Sequence, residues 1–206
     1  MSFSRVSVLA LLALMSVVGC KGSGNALHKS ASTGTPAELQ RALDNGARIN
    51  ERNWDSNTPL HEAARFGNTA ATKWLIAHGA TVDARDENDV TPLHMAAEIG
   101  TPQTIEALLA GGAYVNAVDE DGDTPLHYAA KKGNVEAVRT LLRHGADPNL
   151  RNDDNDTPLQ LAASEGRTDV MALFAPVQPA QPVLPPSPVQ GQLPPPAPVQ
   201  IQPPYP

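Results

Sequence analysis

The stretch Thr58-Pro59-Leu60-His61-Glu62-Ala63-Ala64-Arg65-Phe66-Gly67 decides the fold. Thr58 can cap a helix with its hydroxyl, and Pro59 has the fixed φ that suits a first turn. Leu60, Ala63 and Ala64 fall on one face at helical spacing. Gly67 ends the helix, where a left-handed conformation is easy for glycine. Residues 70–78 read as a second helix with Leu75 and Ile76 inward, closed by Gly79. The proline of the stretch recurs at Pro59, Pro92, Pro125 and Pro158, a step of 33 residues each time. Gly67, Gly100, Gly133 and Gly166 keep the same step, as do Gly46, Gly79, Gly112 and Gly145. Self-similarity at a fixed period signals one supersecondary unit stacked on itself.

The pattern Thr-Pro-Leu-His, Ala-Ala, Gly, Leu-Leu, Gly-Ala resembles the ankyrin repeat. The resemblance implies an all-α repeat solenoid in which each unit is two antiparallel helices plus a projecting β-turn. Leu27, His28, Ala31 and Gly34 stand one period before Leu60, His61, Ala64 and Gly67, so a degenerate first unit begins near Cys20. Ala26 replaces proline there. The units are 20–52 (degenerate), 53–85, 86–118, 119–151 and a shortened 152–175. Terminal repeats must face water on one side. Arg41, Asp44 and Arg48 at one end, and Glu165, Arg167 and Asp169 at the other, suit that role.

Composition agrees with this fold. Aromatic residues make up only 4% of the 206-residue chain, so the core is expected to be built of Ala and Leu. The formal net charge of −7 argues against a nucleic-acid partner, which needs a basic surface.

The N-terminus is of another kind. Residues 1–5 are short and carry one positive charge, and residues 6–18 are apolar or small, as in a secretory signal. The apolar run falls short of the ~20 residues that span a bilayer as a helix. It ends in Val17-Val18-Gly19-Cys20, which resembles the lipobox of bacterial lipoproteins. The resemblance implies cleavage before Cys20 and acylation of its thiol and new amino group, with residues 1–19 as signal peptide. Multiple acyl chains anchor firmly where a single one does not. Lys21 follows instead of the aspartate that would retain a lipoprotein at the inner membrane. The expected location is the bacterial cell envelope, at the outer membrane and facing the periplasm.

From Pro176 to the end the composition changes again. Most of the chain's 20 prolines lie in residues 176–206, and no side chain there carries a charge. This composition favours polyproline II and reads as a disordered tail, a ligand for a proline-binding groove, or a spacer.

Catalytic and metal chemistry find little support. His61, His94 and His127 share one register. Packed helices stand ~8–10 Å apart, whereas zinc needs its nitrogens within ~2.1 Å of one point. In the ankyrin family this histidine belongs to a structural hydrogen-bond network; Gln160 takes its place in the last unit. Asp119 to Asp123 and Asp153 to Asp156 lack the ligand spacing of a calcium loop and read as solvated fingertips. No nucleophile stands beside a base in any motif. No enzymatic activity, metal or cofactor is expected, and the chain is expected to be monomeric.

What remains is a surface. A repeat stack forms a concave face from its turns and first helices, and in the ankyrin family this face commonly holds a protein partner. Carried over unit by unit, its positions are Trp54, Asp55, Asn57, Arg65 and Phe66, then Glu87, Asn88, Val90, Glu98 and Ile99, then Glu120, Asp121, Asp123, Lys131 and Lys132. Trp54, Phe66, Val90 and Ile99 are expected to form an apolar cluster with acidic turns beyond it. The leading expectation is a lipid-anchored binding module for another envelope or secreted protein. The alternative is a structural tether that links membrane to cell wall through the proline-rich tail.

Overall fold

The computed structural model of the chain describes residues 23–174. Residues 1–19, expected to be a signal peptide, Cys20 and the proline-rich residues 176–206 lie outside them. Among the described residues there are ten helices and no strands: α1 Ser23–Thr33, α2 Pro36–Asp44, α3 Pro59–Arg65, α4 Thr69–Ala77, α5 Pro92–Ile99, α6 Pro102–Ala110, α7 Pro125–Lys132, α8 Val135–Arg143, α9 Pro158–Ser164 and α10 Thr168–Phe174. Odd-numbered helices stack on odd, even on even, and each pair is closed by its own hairpin. Five helix pairs thus form two layers.

The inner, odd-numbered helices show how the sequence builds this. Thr58 precedes α3 with an extended backbone, and Pro59 occupies its first turn. The Thr58 amide donates to His61 Nδ1 at 3.1 Å, and the hydroxyl lies 2.9 Å from the same nitrogen. One ring nitrogen therefore caps the helix. The other, Nε2, donates to the Val90 carbonyl of the next unit at 3.1 Å. The same construction recurs at His94, which reaches the Asp123 carbonyl, and at His127, which reaches that of Asp156. Gln160 keeps half of it: its Oε1 accepts from the Thr157 amide.

The core follows the period. Leu27, Leu60, Leu93 and Leu126 form one buried column, and Leu75, Leu108 and Leu141, with Ala42 one period before them, a second. Ala31, Ala64, Ala97 and Ala130 are fully buried between them. Small side chains at these positions let neighbouring helices pack closely. Each buried leucine is worth ~1.5–3 kcal/mol relative to exposure. In the last unit the equivalent Leu159 is 36% exposed, because among the described residues no further unit covers it.

The first unit folds despite lacking its proline. Leu27 and Ala31 are fully buried, and His28 Nε2 lies 2.9 Å from the Asn57 carbonyl. Proline only presets the first turn, and Ala26 is itself a good helix former. The buried leucine, histidine and alanine carry the packing.

The turns correct three expectations. Asn53, Asp86, Asp119 and Asn152 each open a turn, and each side-chain oxygen accepts from the backbone amide four residues on. Asp119 is therefore buried, not a solvated fingertip, and its second oxygen accepts from the Tyr128 hydroxyl at 2.8 Å. Asn57 and Val90, expected on the exposed face, are only 3% and 9% exposed. Both close a turn whose carbonyl is held by the histidine of the preceding unit, and that bond draws the residue under the finger. Val90 joins the hydrophobic core, so the expected apolar cluster loses it.

Candidate protein-binding face

Three of the four fingers are rooted on their own inner helix by a side-chain hydrogen bond. Asn53 Nδ2 donates to Glu62 Oε1 on α3 at 3.3 Å, and Tyr128 on α7 donates to Asp119. Arg151 Nη1 lies 3.4 Å from Gln160 Oε1 on α9. All three pairs are nine residues apart. This root places the fingertip residue Trp54 on the side of α3 that carries Glu62 and, one turn on, Phe66.

Fingers are also tied to one another. The Glu120 amide donates to the Asn88 carbonyl, and the Asp153 amide to that of Asp121. Arg52 donates to the Arg85 carbonyl, and Arg85 to the Val118 carbonyl at 3.0 Å. The ladder of arginines stops at Val118, which is exposed. At the finger crests, Ser56, Asp89 and Asn155 adopt φ of 58°, 59° and 65°, where the fourth unit uses Gly122.

Trp54 is 93% exposed, Phe66 57% and Ile99 50%. Phe66 and Ile99 occupy equivalent positions at the ends of the stacked helices α3 and α5, so ~8–10 Å separates them along the face. Asp55, Arg65, Glu87, Asn88, Glu120, Asp121, Lys131 and Lys132 are exposed as expected. Glu98 is half-buried and pairs with Lys132 at 2.9 Å. Asp123 is half-buried, and its Oδ1 accepts from Asn152 Nδ2 at 2.8 Å. Glu98, Asp121, Asp123, Tyr128, Lys131 and Lys132 line an open depression of about 180 Å³. Burial pushes the Asp123 carboxyl up. Burial and the Asp119 carboxylate push the Tyr128 phenol up.

The histidines are structural. Burial depresses His61 and His127, and it takes His94 down to about 4. Each ring is neutral, with Nδ1 accepting and Nε2 donating. No group of three or more His, Cys, Asp or Glu side chains among the described residues is placed to hold a metal ion. None of the described helices is long and apolar enough to cross a membrane.

Three exposed apolar residues were missed in the sequence. Tyr114 and Val118 lie on the loop before the fourth turn, and Leu159 on the last inner helix. Val118 had a signal: it breaks the periodic arginine of positions 52, 85 and 151. Leu159 was legible as the leucine of a unit with no successor.

These features define a helical repeat protein whose turns and inner helices share one open face. The family model for ankyrin repeats (3 copies) matches residues 6–86, 63–152 and 93–181, and the chain belongs to the ankyrin-repeat family. No curated protein matches the chain. Ankyrin repeats serve as protein-interaction modules, and the exposed apolar residues of the face accord with that role.

Proposed function

We propose that this protein is a lipid-anchored interaction module of the bacterial cell envelope that binds a protein partner on its concave face. The observation that carries the binding site is the exposure of Trp54, Phe66 and Ile99 on a face the fold does not need them to build. Exposed aromatic side chains amid polar neighbours are where binding energy concentrates. Asp55, Arg65, Glu87, Glu98, Glu120, Lys131 and Lys132 flank them. The lipid attachment rests on Val17-Val18-Gly19-Cys20 behind an apolar run, and the outer-membrane destination on Lys21.

Crosslinked capture from membranes tests this reading, with the native protein set beside a Trp54→Ala, Phe66→Ala variant. A partner held by the native protein and lost by the folded variant is the expected result. An unchanged partner list removes the site from this face. Cys20→Ser tests the anchor separately, by moving the protein from the membrane to the soluble fraction.

A further inference from the structure

Taking the concave face as protein-binding, we infer that it receives an extended segment of the partner with bulky apolar side chains at one end and spaced lysines or arginines along the rest. The apolar end seats on Trp54, Phe66 and Ile99. The cations follow the fingertips of the third, fourth and fifth units.

The apolar patch is confined to one end of the face. The positions equivalent to Trp54 are Glu87, Glu120 and Asp153, and those equivalent to Phe66 and Ile99 are Lys132 and Glu165. A segment lying along the face therefore meets apolar surface first and carboxylates afterwards. Such a segment is oriented by the face itself.

The carboxylates are uncompensated. Tip residues 54–56, 87–89, 120–122 and 153–155 include no lysine or arginine. Among the described residues, ion pairs form at Asp89, Glu98, Glu106 and Glu136. Asp55, Glu87, Glu120, Asp121, Asp153 and Asp154 have none. The nearby arginines are committed to holding fingers together. Arg52 and Arg151 donate to backbone carbonyls, and Arg85 serves both Val118 and Asp89. Arg65, Lys131 and Lys132 stand at the inner-helix side of the face, so it is the fingertips that lack positive charge, and complementary potential sets both the rate and the choice of partner.

The depression of about 180 Å³ gives one such cation a seat. Asp121, Asp123 and Tyr128 line it. Of the two lysines on its rim, Lys132 is paired with Glu98, while Lys131 lies near Asp123 without forming a close ion pair and offsets part of the negative charge there. Spacing follows from geometry. Units repeat every ~8–10 Å, and an extended chain advances ~3.3 Å per residue, so cations about three residues apart match successive fingers.

Trp54 reports on the test, because the chain has only two tryptophans. In the full chain carrying Trp74→Phe, its emission is followed on adding three synthetic peptides without Trp or Tyr. The first has leucines at one end and then lysine at every third position in a Gly/Ser background. The second replaces lysine by glutamate, and the third replaces leucine by serine. The first peptide is expected to shift the emission to shorter wavelength and to bind at least about tenfold more tightly than either of the others. That advantage over the glutamate peptide is expected to shrink in high salt and in the variant Glu120→Gln, Asp121→Asn, Asp153→Asn, Asp154→Asn. Equal or tighter binding of the glutamate peptide overturns the inference while leaving the face a protein-binding one. No shift with any peptide also overturns it, and membrane capture then decides the binding reading separately.

Discussion

The second and fourth units bury the same residues and display different ones. Inside, Leu60 matches Leu126, His61 matches His127, and Ala64 matches Ala130, all fully or almost fully buried. Outside, Trp54 and Phe66 face solvent in the second unit where the fourth presents Glu120 and Lys132. The buried set must be periodic, because each leucine and histidine meets the same partner in the next unit. The displayed set has no such constraint. Departures from the period on the surface are therefore where function is written, and departures in the interior should cost stability.

The largest effect is expected in the interior. Leu93→Ala, at the centre of the stack, should cost about 3 kcal/mol in urea unfolding, through lost burial and the cavity left behind. The equivalent Leu159→Ala, in the uncovered last unit, should cost under ~1 kcal/mol by the same reasoning, since it is 36% exposed already. Equal costs would mean that the units are not stacked as described.

Next comes pH. His94 stays neutral in the folded protein down to about 4, while the unfolded chain takes up a proton near 6.5. Between those values the unfolded state binds more protons, so stability falls as pH drops from ~6.5 to ~4, by about 3 kcal/mol for this ring. His61 and His127 act in the same direction. Unfolding midpoints measured across that range should show the fall, and His94→Gln should flatten it while keeping the cap, as Gln160 does.

A smaller gain is expected from restoring an interior-type contact at the surface. Val118→Arg supplies the missing rung of the arginine ladder and should stabilise by roughly 0.5–1.5 kcal/mol, the usual worth of one hydrogen bond. No change in the unfolding midpoint would mean that the ladder contributes nothing. The smallest effect on stability belongs to Trp54→Ala, within about 0.5 kcal/mol as for other exposed sites. A larger loss would show that Trp54 serves the fold.

The fold was legible because its repeat carries helix start, inward face and helix stop in one stretch. Even the degenerate first unit announced itself through Leu27, His28 and Ala31. The site was legible only in part. Trp54, Phe66 and Ile99 interrupt the period and are exposed. Val90 and Asn57 do too, yet they are buried, because a histidine one unit earlier holds their carbonyls. That bond joins residues 29 apart, and no local pattern reveals where it pulls the side chain. Asp119 likewise looked like a member of an acidic run until Tyr128, nine residues on, was placed against it.

The two tryptophans give the most direct test of the division between building and binding. Trp54 stands on the open face, whereas Trp74 is half-buried on an outer helix and stacks on His78. A photocrosslinking residue placed at each position in turn should capture a partner in intact cells from position 54 and not from position 74. Capture from 74 alone, or equally from both, would contradict the assignment of the concave face.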